Sequence, residues 1–274
     1  MQIRENEQQI ANKAVTDAQH VLGLGAYDLF AYLGKKVINP GGITGRHRLL
    51  TSVSIKPGAR VLEVGCGTGH AACDIARKYK CHVTAVDISK EMVATAKQVI
   101  RSQKLESSVT CEVADILNLP YEEGSFDVVL AQAVLMFVDE KKALEQVRRV
   151  LKDGAEFAAL EFCWKKKPDN ELRDCTYDVC GCNDLHFHHH ESWRQKLVNA
   201  EFNKATSVPY KFDMLSVRGF LRDEGFLNAM RVAGKIFSGK ANMQRTWEIW
   251  RHFSDNLDYY EYTILRGEKA IRGT

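Results

Sequence analysis

Val61-Leu62-Glu63-Val64-Gly65-Cys66-Gly67-Thr68-Gly69 is the stretch whose reading decides the fold. The apolar run from Ala59 to Val64 has the length and composition of a strand buried on both faces. It ends in glycines at alternate positions, Gly65, Gly67 and Gly69. Ala72, Ile75, Ala76 and Tyr79 then follow at the i, i+3, i+4, i+7 spacing of an amphipathic helix. Strand, glycine turn and helix open a nucleotide-binding βαβ unit. Glycine is needed there because the turn is tight and a ligand lies against bare backbone.

The wording of the turn narrows the ligand. A phosphate-cradling loop would end in Gly-Lys-Ser/Thr, which does not occur, and a dinucleotide fingerprint would put Gly or Ala where His70 stands. Glu63, two residues ahead of Gly65, would repel a pyrophosphate and attract an ammonium group. S-adenosylmethionine carries an ammonium and a sulfonium and no phosphate. Glu63-Val-Gly-Cys-Gly-Thr-Gly69 resembles motif I of the class I S-adenosylmethionine-dependent methyltransferases, of the type acting on small molecules.

The following strands carry acids in the order such a ligand needs. His82 to Asp87 is a β-branched run, and Asp87 lies 18 residues beyond Gly69 (87 − 69), near the spacing at which an acid accepts from a ribose diol. Ser89 is a helix cap, with Met92, Val93, Ala96, Val99 and Ile100 on one face of the helix behind it. Val109 to Ala114 is the third strand. The resemblance implies that Asp115 accepts from the adenine amino group and that Ile116 packs on the ring. Leu119-Pro120 through Ser125-Phe126-Asp127 resembles the same family, and the resemblance puts Gln132, Ala133 and Met136 where the fourth strand opens onto the methyl-transfer site. The cofactor set it implies is Glu63, Gly65, Cys66, Gly67, Thr68, Gly69, Asp87, Ile88, Met92, Asp115, Ile116 and Gln132. Asp139 caps a further helix, and Ala155 to Phe162 is the fifth strand. Strands alternating with helices make an α/β, doubly wound parallel sheet. Right-handed crossovers bring the carboxyl ends of its strands, and so the acids, to one rim.

After the fifth strand, Cys175, Cys180, Cys182, His186, His188, His189 and His190 fall within 16 residues. Three readings stay open. The segment is a substrate pocket, in which His186, His188 or His189 takes a proton, Tyr27 and Tyr32 being other candidates for that role. Alternatively Cys180, Cys182, His186 and His188 hold zinc or iron, although their spacing matches no standard zinc module. Or the segment is a polar cap on the helix containing Trp193. Tyr32, Met136, Trp164, Cys180 and Cys182 are the expected acceptor-side residues.

The ends read as helical additions. Residues 1–55 are expected to form an N-terminal segment, either a lid over the cofactor or helices packed on the core edge. Residues 56–209 are the cofactor-binding core, including the Cys/His-rich rim segment 163–190. Residues 210–257 form a helical insertion that caps the substrate, and residues 258–274 hold the last strand and tail. Within the insertion, the aromatic stripe Trp247, Trp250 and Phe253 is expected in the core. The resemblance implies a seven-stranded sheet whose last strand is antiparallel and inserted between the fifth and sixth.

Composition excludes several classes. Apolar residues make up 45 % and charged residues 27 %, with a net charge of +3 and no basic stripe beyond Lys165-Lys166-Lys167, a solvated turn. Nucleic acid and membrane partners are not expected, and the polar start is not a signal peptide. The chain is expected to be cytoplasmic, monomeric or homodimeric. Its eight cysteines are then reduced, and Cys66, Cys73, Cys81, Cys111 and Cys163 are small core residues. The implied reaction transfers a methyl group from S-adenosylmethionine to a nitrogen, oxygen or sulfur of a small molecule, leaving S-adenosylhomocysteine. The alternatives are a metal-dependent enzyme of the same fold and a non-catalytic S-adenosylmethionine-binding protein.

Overall fold

The computed structural model describes residues 16–182, 185–212 and 216–271. They form two compact units, each discontinuous in sequence. The larger comprises the described residues of 39–167, 185–212 and 259–271; the smaller comprises those of 16–38, 168–182 and 216–258. Residues 39–55, expected with the N-terminal segment, therefore belong to the sheet unit. The Cys/His-rich segment is divided between the two units.

The larger unit is built on seven strands: β1 Arg60–Val64, β2 His82–Asp87, β3 Val109–Val113, β4 Phe126–Gln132, β5 Leu151–Trp164, β6 Phe202–Lys211 and β7 Tyr260–Lys269. Their order is β3-β2-β1-β4-β5-β7-β6. The first five strands run parallel, and β7 lies antiparallel to both β5 and β6. The central strands are apolar on both faces because helices cover both: Val61, Leu62 and Val64 of β1 are all buried. The helices of this unit are α3 Gly42–Thr51, α4 His70–Tyr79, α5 Lys90–Ser102, α6 Glu140–Val150 and α8 His190–Asn199. The expected caps form: Ser89 Oγ accepts from the Met92 N–H, and Asp139 Oδ1 from the Lys142 N–H. The five cysteines read as core residues are buried.

The smaller unit is helical: α1 at residues 16–22, α2 Ala26–Leu33, α7 Asn170–Cys180, α9 Val217–Phe237 and α10 Lys240–Asp255. The expected helical reading of residues 1–15 lies outside the described residues. A buried acid organises part of this unit. Glu224 Oε2 accepts from the Lys36 N–H and from Asn228 Nδ2, and Lys35 Nζ lies 3.6 Å from Oε1. One residue later, Gly225 (φ 69°, ψ 159°) breaks the helical path of α9. Among the described residues, no helix is long and apolar enough to cross a membrane.

The aromatic stripe of α10 departs from expectation. Phe253 is buried, but Trp247 is 57 % and Trp250 40 % exposed. The i, i+3 spacing brings the two indoles together on one outer face, where they stack at 4.9 Å on each other rather than on the core. Phe157→Ala in the sheet core should therefore cost about 3–5 kcal/mol, and Trp247→Ala less than about 1 kcal/mol. Urea denaturation of both variants checks the contrast.

Candidate active site

The carboxyl ends of the parallel strands gather the acids that the sequence singled out. Glu63 sits at the penultimate position of β1 and is 1 % exposed. Gln132 Nε2, at the end of β4, donates to Glu63 Oε1 at 2.9 Å, and Asn39 Nδ2 donates to Gln132 Oε1 at 3.1 Å. Among the described residues, Glu63 Oε2 has no partner although it is buried. Burial raises the Glu63 carboxyl to about 7, against the opposing charge of Arg46 and the Gln132 hydrogen bond. A buried acid oxygen without a partner has unmet hydrogen-bonding capacity, and Glu161 Oε2 is in the same state.

The glycine loop follows directly. Gly65, Gly67 and Gly69 all have positive φ, at 68°, 52° and 77°. Their surroundings differ. A Cβ on Gly65 would meet Val134 Cγ2 at 2.3 Å, and one on Gly69 would meet Ala96 Cβ at 2.8 Å. A Cβ on Gly67 would meet nothing within 4 Å, so bare backbone faces open space there. The loop is tied down by Asp87, whose Oδ2 accepts from the Gly67 N–H at 2.8 Å and Oδ1 from the Ser89 N–H at 3.0 Å. Asp115 Oδ1 takes the Leu117 N–H at 2.9 Å. Ile88 projects beside Asp87 and is 70 % exposed, whereas Ile116 is buried. Within the loop, Cys66 Sγ lies 3.8 Å from Cys111 Sγ. The hydrogen bond to Cys111 and burial push the Cys66 thiol well up, so it is a core thiol and not a nucleophile.

Beyond β4 the rim is set by an acid that the sequence reading passed over. Glu161, fully buried in β5, accepts the Val134 and Leu135 N–H groups at 3.1 and 3.0 Å. It fixes the turn that follows Ala133, whose φ of 56° is uncommon for a residue with a side chain. Burial raises Glu161 to about 7, although these backbone N–H groups oppose the shift. Residues 185–189 run along this rim. The His186 N–H donates to Met136 O at 2.8 Å, and the Trp164 N–H to His188 O at 3.2 Å. His188 Nε2 lies 2.5 Å from Oε1 of Glu140, the first residue of α6. Burial, partly offset by that hydrogen bond, keeps the His188 imidazole below its ordinary value. Burial also opposes the charge on Glu140, but the hydrogen bond from His188 and the Lys196 ammonium outweigh it and hold the carboxyl below its usual value.

A family model described as "Methyltransferase domain" matches residues 55–230. The chain belongs to the class I S-adenosylmethionine-dependent methyltransferases. It is an enzyme of that family, and its cofactor is S-adenosylmethionine. An uncharacterized protein of Haemophilus influenzae is 22 % identical over 84 % of this chain and 92 % of its own. A phosphoethanolamine N-methyltransferase of Triticum aestivum is 30 % identical over 62 % of this chain and 33 % of its own length. This methyltransferase spans about a third of the length of such plant relatives. Among solved structures, the Haemonchus contortus phosphoethanolamine N-methyltransferase 2 has a TM-score of 0.73 at 18 % identity, covering 89 % of this chain and 57 % of that one. The MccD protein has a TM-score of 0.69 at 20 % identity, covering 84 % and 98 %. Both share the fold.

The methyltransferase brings some of the expected residues together and separates others. Glu63, Gly65, Gly67, Asp87, Asp115 and Gln132 share the carboxyl rim, with Thr68, Ile88 and the half-buried Met92 beside them in sequence. Met136 and Trp164 are buried next to the rim segment. Tyr27, Tyr32, Cys180 and Cys182 belong to the helical unit. Lys235 Nζ stands over the Tyr32 ring, and Cys180 is buried at the end of α7. The alternative reading, in which Cys180, Cys182, His186 and His188 hold one metal ion, does not match the clusters that form. Among the described residues, the imidazoles cluster with carboxylates, as Glu140 with His186 and His188, and Glu261 with His189 and His190; no thiol joins either group. The physical reason is helix α7, which carries Cys175 and Cys180 into the helical unit. His189 also caps α8, accepting from the Glu191 N–H. Glu161 could have been found as the lone acid in the apolar run Ala158 to Trp164. Nothing in the sequence marks Glu140 or Asn39.

The glycines give a direct test. Gly65→Ala meets both a clash and αL strain and should lose about 2–4 kcal/mol. Gly67→Ala meets strain alone and should lose about 1–2 kcal/mol. Thermal and urea denaturation of the two variants without cofactor should rank them in that order.

Proposed function

We propose that this methyltransferase binds its cofactor along the rim from Glu63 to Asp115 and methylates a nitrogen, oxygen or sulfur of a small molecule held beside residues 185–188. S-adenosylmethionine supplies an electrophilic methyl group on a sulfonium. The chain's task is to hold that group and an acceptor at attack distance and to exclude water. The observation that carries the reading is the orphaned, buried Glu63 Oε2 beside the open space over Gly67. An ammonium satisfies the first, and a ligand lying on bare backbone fills the second. Asp87, having given each oxygen one backbone N–H, keeps lone pairs for the ribose hydroxyls. Asp115 uses Oδ1 on the Leu117 N–H, so Oδ2 serves the adenine amino group, and Ile88 offers an exposed apolar face to the base.

The acceptor side rests on the segment after β5. His188 contributes a neutral imidazole, and His186 an exposed one, between the Met136 and Trp164 anchors. The small-molecule reading is supported by the near-neutral net charge and by the printed names of relatives, which include phosphoethanolamine and glycine/sarcosine/dimethylglycine N-methyltransferases.

The raised Glu63 carboxyl sets a pH dependence. Its value of about 7 in the folded chain exceeds the ordinary 4.5, so the folded state holds an extra proton between those limits. Stability from this group falls as pH rises from about 4.5 to about 7. A bound ammonium favours the ionised form, so cofactor binding should tighten as pH rises from about 6 to about 8 and release protons at pH 6. Calorimetry in buffers of differing ionisation enthalpy measures both effects. Glu63→Gln should flatten the profile and weaken binding by about 1–3 kcal/mol, and Asp87→Ala should weaken it by a similar amount. Unchanged affinity in both variants would overturn the cofactor assignment.

A further inference from the structure

Four imidazoles, His186, His188, His189 and His190, lie within five residues, and the structure sorts them into two groups with different carboxylates. We propose that Glu140, His186 and His188 form a binding site for one divalent transition-metal ion. The claim goes beyond the methyl-transfer reading and does not depend on how the cofactor binds.

The ligand atoms of the three residues lie within 4.8 Å of one another. A zinc or iron(II) ion bound at about 2.0–2.2 Å brings its ligand atoms to roughly 3–3.5 Å apart, so small side-chain rotations, the largest at His186, close the set. The closest pair is His188 Nε2 and Glu140 Oε1, 2.5 Å apart, which opens to roughly 3 Å when an ion takes the place of the shared hydrogen. The residue that must move most is His186, whose side chain is exposed and whose ring is within 12° of parallel to that of His188. The backbone under both is held, at His186 N by Met136 O and at His188 O by the Trp164 N–H. Only side-chain torsions therefore change on binding.

The surroundings orient the ligands. Trp193, fully buried, packs edge-on against the His188 ring with centroids 4.8 Å apart. Lys196 Nζ is 3.5 Å from Glu140 Oε2 and leaves Oε1 as the oxygen turned to His188. Partners of this kind fix the rotamer and orientation of ligating side chains. Burial keeps His188 neutral near pH 7, the form in which an imidazole ligates. When an ion takes Nε2, the hydrogen shared with Glu140 passes to Nδ1, so no net proton leaves the ring. Two imidazoles and one carboxylate suit zinc or iron(II), and three protein ligands leave coordination positions for water or an oxygen-bearing ligand. The second group is weaker, because His189 Nδ1 already caps α8 and His190 lies between Glu261 and Glu191.

The test uses the full chain. Purified protein is analysed for bound metal, stripped with chelator, and titrated with zinc chloride against a chelating indicator. One equivalent should bind at micromolar or lower concentration. His186→Ala and Glu140→Gln should each weaken zinc binding at least tenfold, while far-ultraviolet circular dichroism, thermal midpoint and S-adenosylmethionine affinity stay at the parental values. His190→Ala should leave the zinc isotherm unchanged. Failure to bind zinc, or binding that His186→Ala and Glu140→Gln do not alter, overturns the proposal. Loss confined to His190→Ala would assign the ion to the other group and would also overturn it. Because S-adenosylmethionine affinity is read separately, failure here leaves the cofactor assignment standing.

Discussion

A carboxylate buried near the end of the central strand is the constraint around which this rim is arranged. Removing Glu63 from water costs several kcal/mol unless its charge is met. The chain meets half of it, with the Asn39–Gln132–Glu63 hydrogen-bond relay on one oxygen and the charge of Arg46 nearby. The other oxygen is left without a partner among the described residues, and it is the one the proposed function gives to the ligand. The glycine loop has to pass beside this acid with its backbone bare, and Asp87 holds the loop there through the Gly67 N–H. A protein built only for stability would have filled the Glu63 position with an apolar side chain.

How much of this was legible depended on how local the cause was. The glycine loop, the acids at the ends of β2 and β3, and the Ser89 and Asp139 caps are short-range signals, since each residue's role is fixed by neighbours a few positions away. The loop, Asp87 and the caps are legible from spacing, whereas the role of Asp115 comes from the family resemblance. The place of β7 between β5 and β6 is non-local and came from the family resemblance. Glu161 and Glu140 act on segments about 27 and 48 residues distant, and only the first leaves a trace, as an acid in an apolar run. The Trp247–Trp250 pair shows the opposite failure. Its helical periodicity was read correctly, but periodicity does not say which face is covered, and here the aromatic face lies outward.

The Cys/His-rich segment shows how composition can mislead when a helix boundary falls inside it. As a string it offers thiols and imidazoles together. Asp169 caps α7, accepting from the Leu172 N–H, and the helix runs through Cys175 to Cys180, so these thiols belong to the helical unit. The imidazoles stay at the sheet, where successive positions reach different partners: Glu140 for His188 and Glu261 for His190. What looked like one cluster is a division between two units, and the acids that complete its chemistry come from α6 and β7.

The strand order carries a consequence for how the chain is made. Among the described residues, β6 pairs with β7 alone, and β7 follows every other strand of the sheet in sequence. During synthesis the first five parallel strands can assemble as they emerge. β6 packs on α8 but has no strand neighbour until residues 260–269 have left the ribosome. The helical unit is likewise completed only by α9 and α10, which come late. A stop codon between β6 and β7 would therefore release a chain that keeps the glycine-loop sequence but leaves the edges of β5 and β6 unpaired, a species suited to aggregation rather than to partial activity.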